Sequence, residues 1–238
     1  MSHPSQSYVR NCLLSALSGD DYALLAPHLE AVPLEKGQLL IEKNVPFEHV
    51  YFPERGLGSV MSSSPGTQRV ETSLFGRDGM SGISLVLGTR QTPQTSLVQV
   101  EGDGYRIASA ALEEAIDRSR SLHRILLLYV QTTVAQTSST ALSNITQSIE
   151  ERLARWLLMV HDRMEDDKLP LTHDFLSIML GVRRPSVTTA LHVLEGDRII
   201  SASRGLVTVL DREALIEFAD GVYGEPEAEY HRLLGPSS

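Results

Sequence analysis

"LTHDFLSIMLGVRRPSVTTALHVLEGDRII", residues 171–200, decides how this chain is read. Thr172 stands where a helix wants its N-cap, and Asp174 in the following turn suits the positive end of the dipole. Leu176, Met179 and Leu180 share one face at helical spacing. Gly181 can take the left-handed conformation that closes such a helix in a tight turn, with Val182 plugging the corner. A second helix is predicted from about 184 to 195. Val187, Leu191 and Leu194 point inward, Ala190 allows close approach, and Gly196 ends the helix. With the small Ser177 in the first helix, the pair is a helix-turn-helix. The plainer reading is an ordinary helical hairpin, and the next stretch weakens it. "RIISASRGLVTVLDR" (198–212) reads as a strand, a turn at Arg204–Gly205 and a second strand, so the unit is a winged helix.

Pro185 is placed in the first helical turn, where its missing N–H costs nothing. With the valine and leucines inside, Arg184, Ser186, Thr188, Thr189 and His192 are left on or near the open side. Arginine can hold guanine O6 and N7 with two hydrogen bonds, and threonine can meet a thymine methyl or a phosphate. Arg183 at the helix mouth and Arg204 on the wing suit phosphate, and Thr172 joins the same candidate surface. Any one of these could be a plain solvated residue, and for His192 that reading weighs equally. The arginine pair is harder to dismiss, because positive charge at a helix N-terminus opposes the dipole and needs another reason to be there.

The charge balance agrees once it is divided by region. The whole chain of 238 residues carries a formal −9. Residues 168–212 hold six bases and four acids, a net +2, which leaves −11 on the remainder. A locally basic module on an acidic body is how a DNA-reading unit on a sensor looks.

Outward from this module, residues 148–220 are expected to form the C-terminal domain. It opens with a capping box, Ser148 to Glu151, and a helix with one apolar stripe, Ile149, Leu153, Leu157 and Val160. Before it, about 122–143 reads as one long helix without a charged residue after Arg124. Its Leu127, Val130, Val134, Thr137 and Ala141 follow the three–four alternation of a two-helix seam, so residues 121–147 are read as a dimerisation helix and hinge. Residues 1–120 are the remaining domain. Residues 11–31 read as helical. The short runs "QLLIEK", "HVYFPE", "GSVMSS", "RVETSLF" and "TSLVQVE", broken by Gly, Pro and Asn, then read as strands of a sandwich or barrel. "ASAALEEAI" returns to helix. Residues 221–238 are expected to be a loosely packed tail.

Several functions are disfavoured. One cysteine, Cys12, excludes a disulfide framework, a four-cysteine iron–sulfur cluster and a cysteine-based zinc site. The eight histidines show no H-x-H or H-E-x-x-H, and neither G-x-S-x-G nor a P-loop occurs, so neither an enzyme nor a metal site is expected. The polarity of the long helix argues against a membrane span, and the N-terminus does not read as a signal peptide. A cytoplasmic protein without a cofactor is the expectation.

The order of β-roll, long helix and winged helix resembles the Crp/Fnr superfamily of bacterial transcription regulators, over about residues 20–215. "KGQLLIEKNVPFEHVYFPERGLGSV" (36–60) resembles the opening strands with their turn glycines Gly37 and Gly56. "GRDGMSG" (76–82) resembles the hairpin before the effector pocket, and "ERLARWLLMVHDR" (151–163) the helix joining the domains. The resemblance implies an α+β fold with a jelly-roll-like sensor domain. It also implies a homodimer on a palindromic operator of double-stranded DNA, RNA polymerase as a further partner, and a small-molecule effector. It places the effector pocket at Gly82, Ile83, Gln94, Thr95, Thr137 and Ser138. Members that bind cyclic AMP carry a Gly-Glu pair where Gly82-Ile83 stands here, and Arg-Ser or Arg-Thr near Gln94-Thr95. Cyclic AMP is therefore not expected to bind in the usual way, since its phosphate would lack a cationic partner. Haem-sensing members need axial ligands, for which His49 and His123 are the candidates, although a lone histidine is more often a packing residue. Pro185 replaces a glutamate of the cyclic-AMP-responsive members, so the operator should differ. The rival function is a winged helix that docks another protein.

Overall fold

A computed structural model describes residues 4–63 and 69–235. Residues 1–3 and 64–68 of the expected first domain, and 236–238 of the expected tail, lie outside them.

The chain begins with two short helices. α1 (Cys12–Ser15) is capped by the Asn11 side chain and α2 (Gly19–Leu25) by Ser18. The helical region expected to reach residue 31 stops earlier, because β1 (Glu30–Leu34) already pairs with the sheet. β2 (Leu39–Ile41), β3 (His49–Ser62), β4 (Val70–Phe75) and β5 (Thr95–Ala108) complete an antiparallel sheet, with α3 (Ile83–Val86) between the last two. Its order is β1-β5-β3-β4, with β2 also on β5. "HVYFPE" and "GSVMSS" were expected as separate strands and are the two ends of β3. Gly56 joins them at a register shift with φ +87, and a Cβ there would lie 2.6 Å from the Val100 carbonyl oxygen. Glycine bends this strand without ending it. "GRDGMSG" is an irregular turn rather than a hairpin. Within it the Asp78 carboxylate accepts from the Gly76 N–H at 2.8 Å.

α4 (Ser109–Arg118) leads into α5 (Arg120–Thr146), the longest helix described. Leu122, Leu126, Tyr129 and Val130 of α5 are buried in the first core. Val130 was expected on the seam and instead points inward. The exposed line along α5 is Leu127, Gln131, Val134, Ser138, Ala141 and Ile145, still a three–four alternation but shifted by one position at two places.

The second domain comprises α6 (Ile149–His161), β6 (Lys168–Leu169), α7 (His173–Leu180), α8 (Arg184–Gly196), β7 (Ile200–Ser203), β8 (Leu206–Val209) and α9 (Arg212–Phe218). The Ser148–Glu151 capping box is present, with the Ser148 hydroxyl accepting from the Glu151 N–H at 3.2 Å and the Glu151 carboxylate from the Ser148 N–H at 2.7 Å. α6 has more than the single apolar stripe expected. Every residue from Leu153 to Val160 is buried, Arg155 included, because α6 lies between the sheet and the helix-turn-helix. Leu57, Met61, Leu74 and Val100 of the sheet share one core with it. Polar ties cross the same joint: the Trp156 indole donates to the Glu71 carboxyl at 2.6 Å, and Arg163 pairs with Asp78 at 2.7 Å.

The tail is not loose. α10 (Glu225–Leu234) returns to the first domain, where Tyr230 and Leu234 pack on its core and the Tyr230 hydroxyl donates to the Asp78 carbonyl oxygen at 2.8 Å.

Candidate nucleic-acid interface

Thr172 caps α7 as expected, its hydroxyl accepting from the Phe175 N–H at 3.2 Å. At the other end Gly181 adopts φ +64. Its N–H donates to the Ile178 carbonyl at 3.2 Å while Val182 donates to Ser177 at 3.0 Å. These two bonds satisfy carbonyls that would otherwise be orphaned, and they turn the chain sharply into α8. Pro185 occupies the first turn of α8. α8 ends at Gly196 as expected, and Arg198, at φ +59, takes the left-handed position beyond it.

Val187, Ala190, Leu191 and Leu194 are buried, so the rest of α8 is turned outward. Arg183, Arg184, Thr189 and His192 are exposed, while Ser186 and Thr188 are half-buried on the same side. Arg204 is exposed at the wing turn, next to Gly205 at φ +77. The wing is tied to α8 by Glu195, whose carboxylate accepts from the Ala202 N–H at 2.7 Å. It is also a three-stranded sheet, since β6 pairs with β8. One rigid face therefore carries Arg183, Arg184, Ser186, Thr188, Thr189, His192 and Arg204, with Thr172 half-buried at its edge.

Arg184 lies 3.2 Å from Asp174 across the turn, both side chains well exposed. Such a pair is weak and salt-screened, and a phosphate or a guanine can displace it. Among the described residues Arg183 has no ion-pair partner. The Thr189 hydroxyl donates to the Pro185 carbonyl at 3.2 Å, so it offers lone pairs and its methyl outward. Thr188 lies 3.2 Å from the His173 Nδ1. His173 and the exposed Val193 also belong to this edge, and sequence reading passed over both. Their helical phase held the signal: Val193 follows Thr189 by four residues, and His173 is the first residue after the cap.

Five of the six residues assigned to the effector pocket, Gly82, Ile83, Gln94, Thr137 and Ser138, line one cavity of about 460 Å³ between the sheet, α3 and α5. Thr95 does not line it and pairs with Met61 in the sheet. The histidines considered as axial ligands are in β3 and α5, where the His123 Nε2 lies 3.3 Å from the Val86 carbonyl oxygen. Among the described residues no group of three metal-ligating side chains converges, and no helix is long and apolar enough to cross a membrane.

Residues 151–218 match the family model of the Crp-like helix-turn-helix domain. The chain is similar in structure to FixK2 from Bradyrhizobium japonicum, at 16% identity and TM-score 0.67, covering 80% of this chain and 96% of that one. It is likewise similar to a Crp/Fnr-family transcriptional regulator from Thermus thermophilus, at 19% identity and TM-score 0.65, covering 81% and 99%. A third is CLP of Xanthomonas campestris, a c-di-GMP-responsive global regulator, at 13% and 0.63, covering 81% and 99%. No curated protein matches the chain. The resemblance read from the sequence thus holds in the C-terminal domain, which is Crp-like, and in the fold of the chain as a whole, which is that of Crp/Fnr regulators.

Proposed function

We propose that this chain, a Crp-like helix-turn-helix domain on a Crp/Fnr fold, is a sequence-specific DNA-binding transcription regulator. It acts in the cytoplasm as a homodimer on palindromic double-stranded operators, with RNA polymerase as the further partner at the promoter. The observation that carries this reading is the two-sided α8. Val187, Leu191 and Leu194 are buried, and the arginines, threonines and His192 share the open side beside the wing arginine. Arg184, Thr188, Thr189 and His192 are assigned to base edges. Arg183, Ser186, Thr172 and Arg204 are assigned to phosphates, where backbone contacts fix the register.

Dimerisation is supported by α5. Leu127, Val134 and Ile145 are 40%, 52% and 85% exposed on one line of α5, and apolar side chains in that arrangement want a partner helix. The β-roll cavity is assigned as the effector pocket. Selection of bound fragments from genomic DNA by the purified protein tests the reading. The expected outcome is a two-fold-symmetric motif with half-sites roughly 10 bp apart centre to centre. A single unrepeated half-site would remove the dimer. Failure to enrich any fragment, together with capture of a protein by the winged helix, would favour the docking function instead.

A further inference from the structure

The effector cavity is specific about charge. Its lining comes from the sheet (Ile41, Val60, Phe75), from the α3 region (Met80, Ile83) and from α5 (Val134, Ala141), interspersed with hydroxyl and amide groups. Among the described residues that line it there is no Asp, Glu, Lys, Arg or His side chain. An anion placed there would gain no cation in return for the hydration it gives up.

Five of the hydroxyls sharpen the selection, because their protons are already committed. Thr137 donates to the Thr133 carbonyl and Ser138 to the Val134 carbonyl, each at 2.9 Å. Thr133 donates to Tyr129 at 3.2 Å and Thr72 to Val60 at 3.1 Å. Ser73 gives its proton to the Gln136 side-chain oxygen at 2.7 Å. What these groups present to the cavity is lone pairs, which favour a hydrogen-bond donor and repel an anionic oxygen. Among the described residues two lining hydroxyls, Ser84 and Ser96, have no hydrogen-bond partner, and the Ser84 Oγ is shielded from solvent.

We propose that this cavity binds an uncharged, mainly apolar small molecule that carries a hydroxyl or N–H donor, and that it excludes cyclic nucleotides and other phosphate esters. The size suits a compact organic ligand. The inference rests on the assignment of the cavity as the effector pocket of a dimer. Val134, Ser138 and Ala141 belong both to its wall and to the exposed line of α5. A ligand seated there touches the sheet and the dimer seam together, and the partner's helix closes the mouth. That contact is how occupancy would bias one arrangement of the dimer over another.

The test uses N-phenyl-1-naphthylamine, an uncharged aromatic probe with one N–H, titrated into the full-length protein. We expect saturable fluorescence enhancement at one probe per chain, unchanged by millimolar cyclic AMP. Placing a carboxylate in the wall with Ile83→Glu should weaken the probe by about tenfold or more. Gln94→Glu, nearly isosteric at a half-buried position, should weaken it in the same direction and guards against misfolding of the first variant. Displacement of the probe by cyclic AMP, or indifference of its binding to both variants, would overturn the proposal. Duplex binding is measured on the same samples. A protein that takes the probe and no duplex keeps this ligand class and loses the regulator, and the reverse result does the opposite.

Discussion

α6 and α8 are both thirteen residues long, belong to the same domain and carry arginines, yet they solve opposite problems. α8 hides one face and leaves its polar side to the solvent. α6 is covered along its middle on all sides, and its Trp156 reaches across the joint to the sheet of the first domain. Trp156 holds Glu71, which is 5% exposed, and Arg155 is 4% exposed with its Nη2 unpartnered. Polar residues on a helix thus mean a solvent-facing edge in one case and an interdomain tie in the other. Only the packing on the opposite side tells them apart.

The largest effect should come from breaking the inner face of α8. Leu191→Ala removes a fully covered side chain and should cost about 2–5 kcal/mol in urea unfolding. His192→Ala, one residue along on the open side, should stay within about 0.5 kcal/mol. Equal losses would mean that both faces are packed, and the reading edge would not exist.

At the α6 joint the sensitive quantity is pH. Burial pushes the Glu71 carboxyl up from 4.5 to about 8, against the opposing pull of its hydrogen bonds to Ser59 and Trp156. The folded state therefore holds a proton that the unfolded chain releases near pH 4.5. This contribution is fully present below that pH and is lost as pH rises through about 8. Thermal stability should fall between these limits, by at most roughly 1.4 kcal/mol per pH unit from this group. Glu71→Gln keeps the hydrogen-bond geometry without the ionisation, and should flatten the profile. A native profile already flat across that window would show Glu71 ionised in the folded protein.

Smaller and more selective effects belong to the reading edge. Arg184→Ala should reduce discrimination between operator and scrambled duplex by roughly 1–3 kcal/mol. Arg183→Ala should weaken both duplexes alike and lower the salt slope by about one. Indistinguishable behaviour of the two variants would erase the division between base and phosphate contacts. A small loss of stability is expected at the domain boundary, where Ser148→Ala should cost about 1 kcal/mol in urea unfolding by removing the cap of α6.

How far the sequence reveals these regions follows from where their determinants lie. α8, its turn and the wing are locally encoded: Thr172, Gly181, Pro185 and Gly205 each act on their own few residues. The environment of α6 is not local. Ile149, Leu153, Leu157 and Val160 announce one apolar stripe, whereas the burial of Trp156, bonded to Glu71, and of Arg155, bonded to Val222 and Thr140, depends on segments elsewhere in the chain. β6 is a strand only because β8 lies beside it. α10 reads as polar, yet Tyr230 and Leu234 find an apolar surface on the other domain. Its start did carry a signal, Gly224 followed by Pro226 and Glu227, and the Glu227 carboxylate accepts from the Gly224 N–H at 2.8 Å. On α5 the heptad spacing was legible. The inward turn of Val130 was not, because a surface helix and a seam helix differ there by one residue.

The open side of α8 is proposed to read duplex DNA. The most direct measurement is an anisotropy titration of the full-length protein against its selected operator and a scrambled duplex, repeated at stepped salt. The expected result is a preference for the operator of about a thousandfold or more, with affinity for both duplexes falling steeply as salt rises. Equal affinity for the two, or no binding to either in dilute buffer, would contradict it.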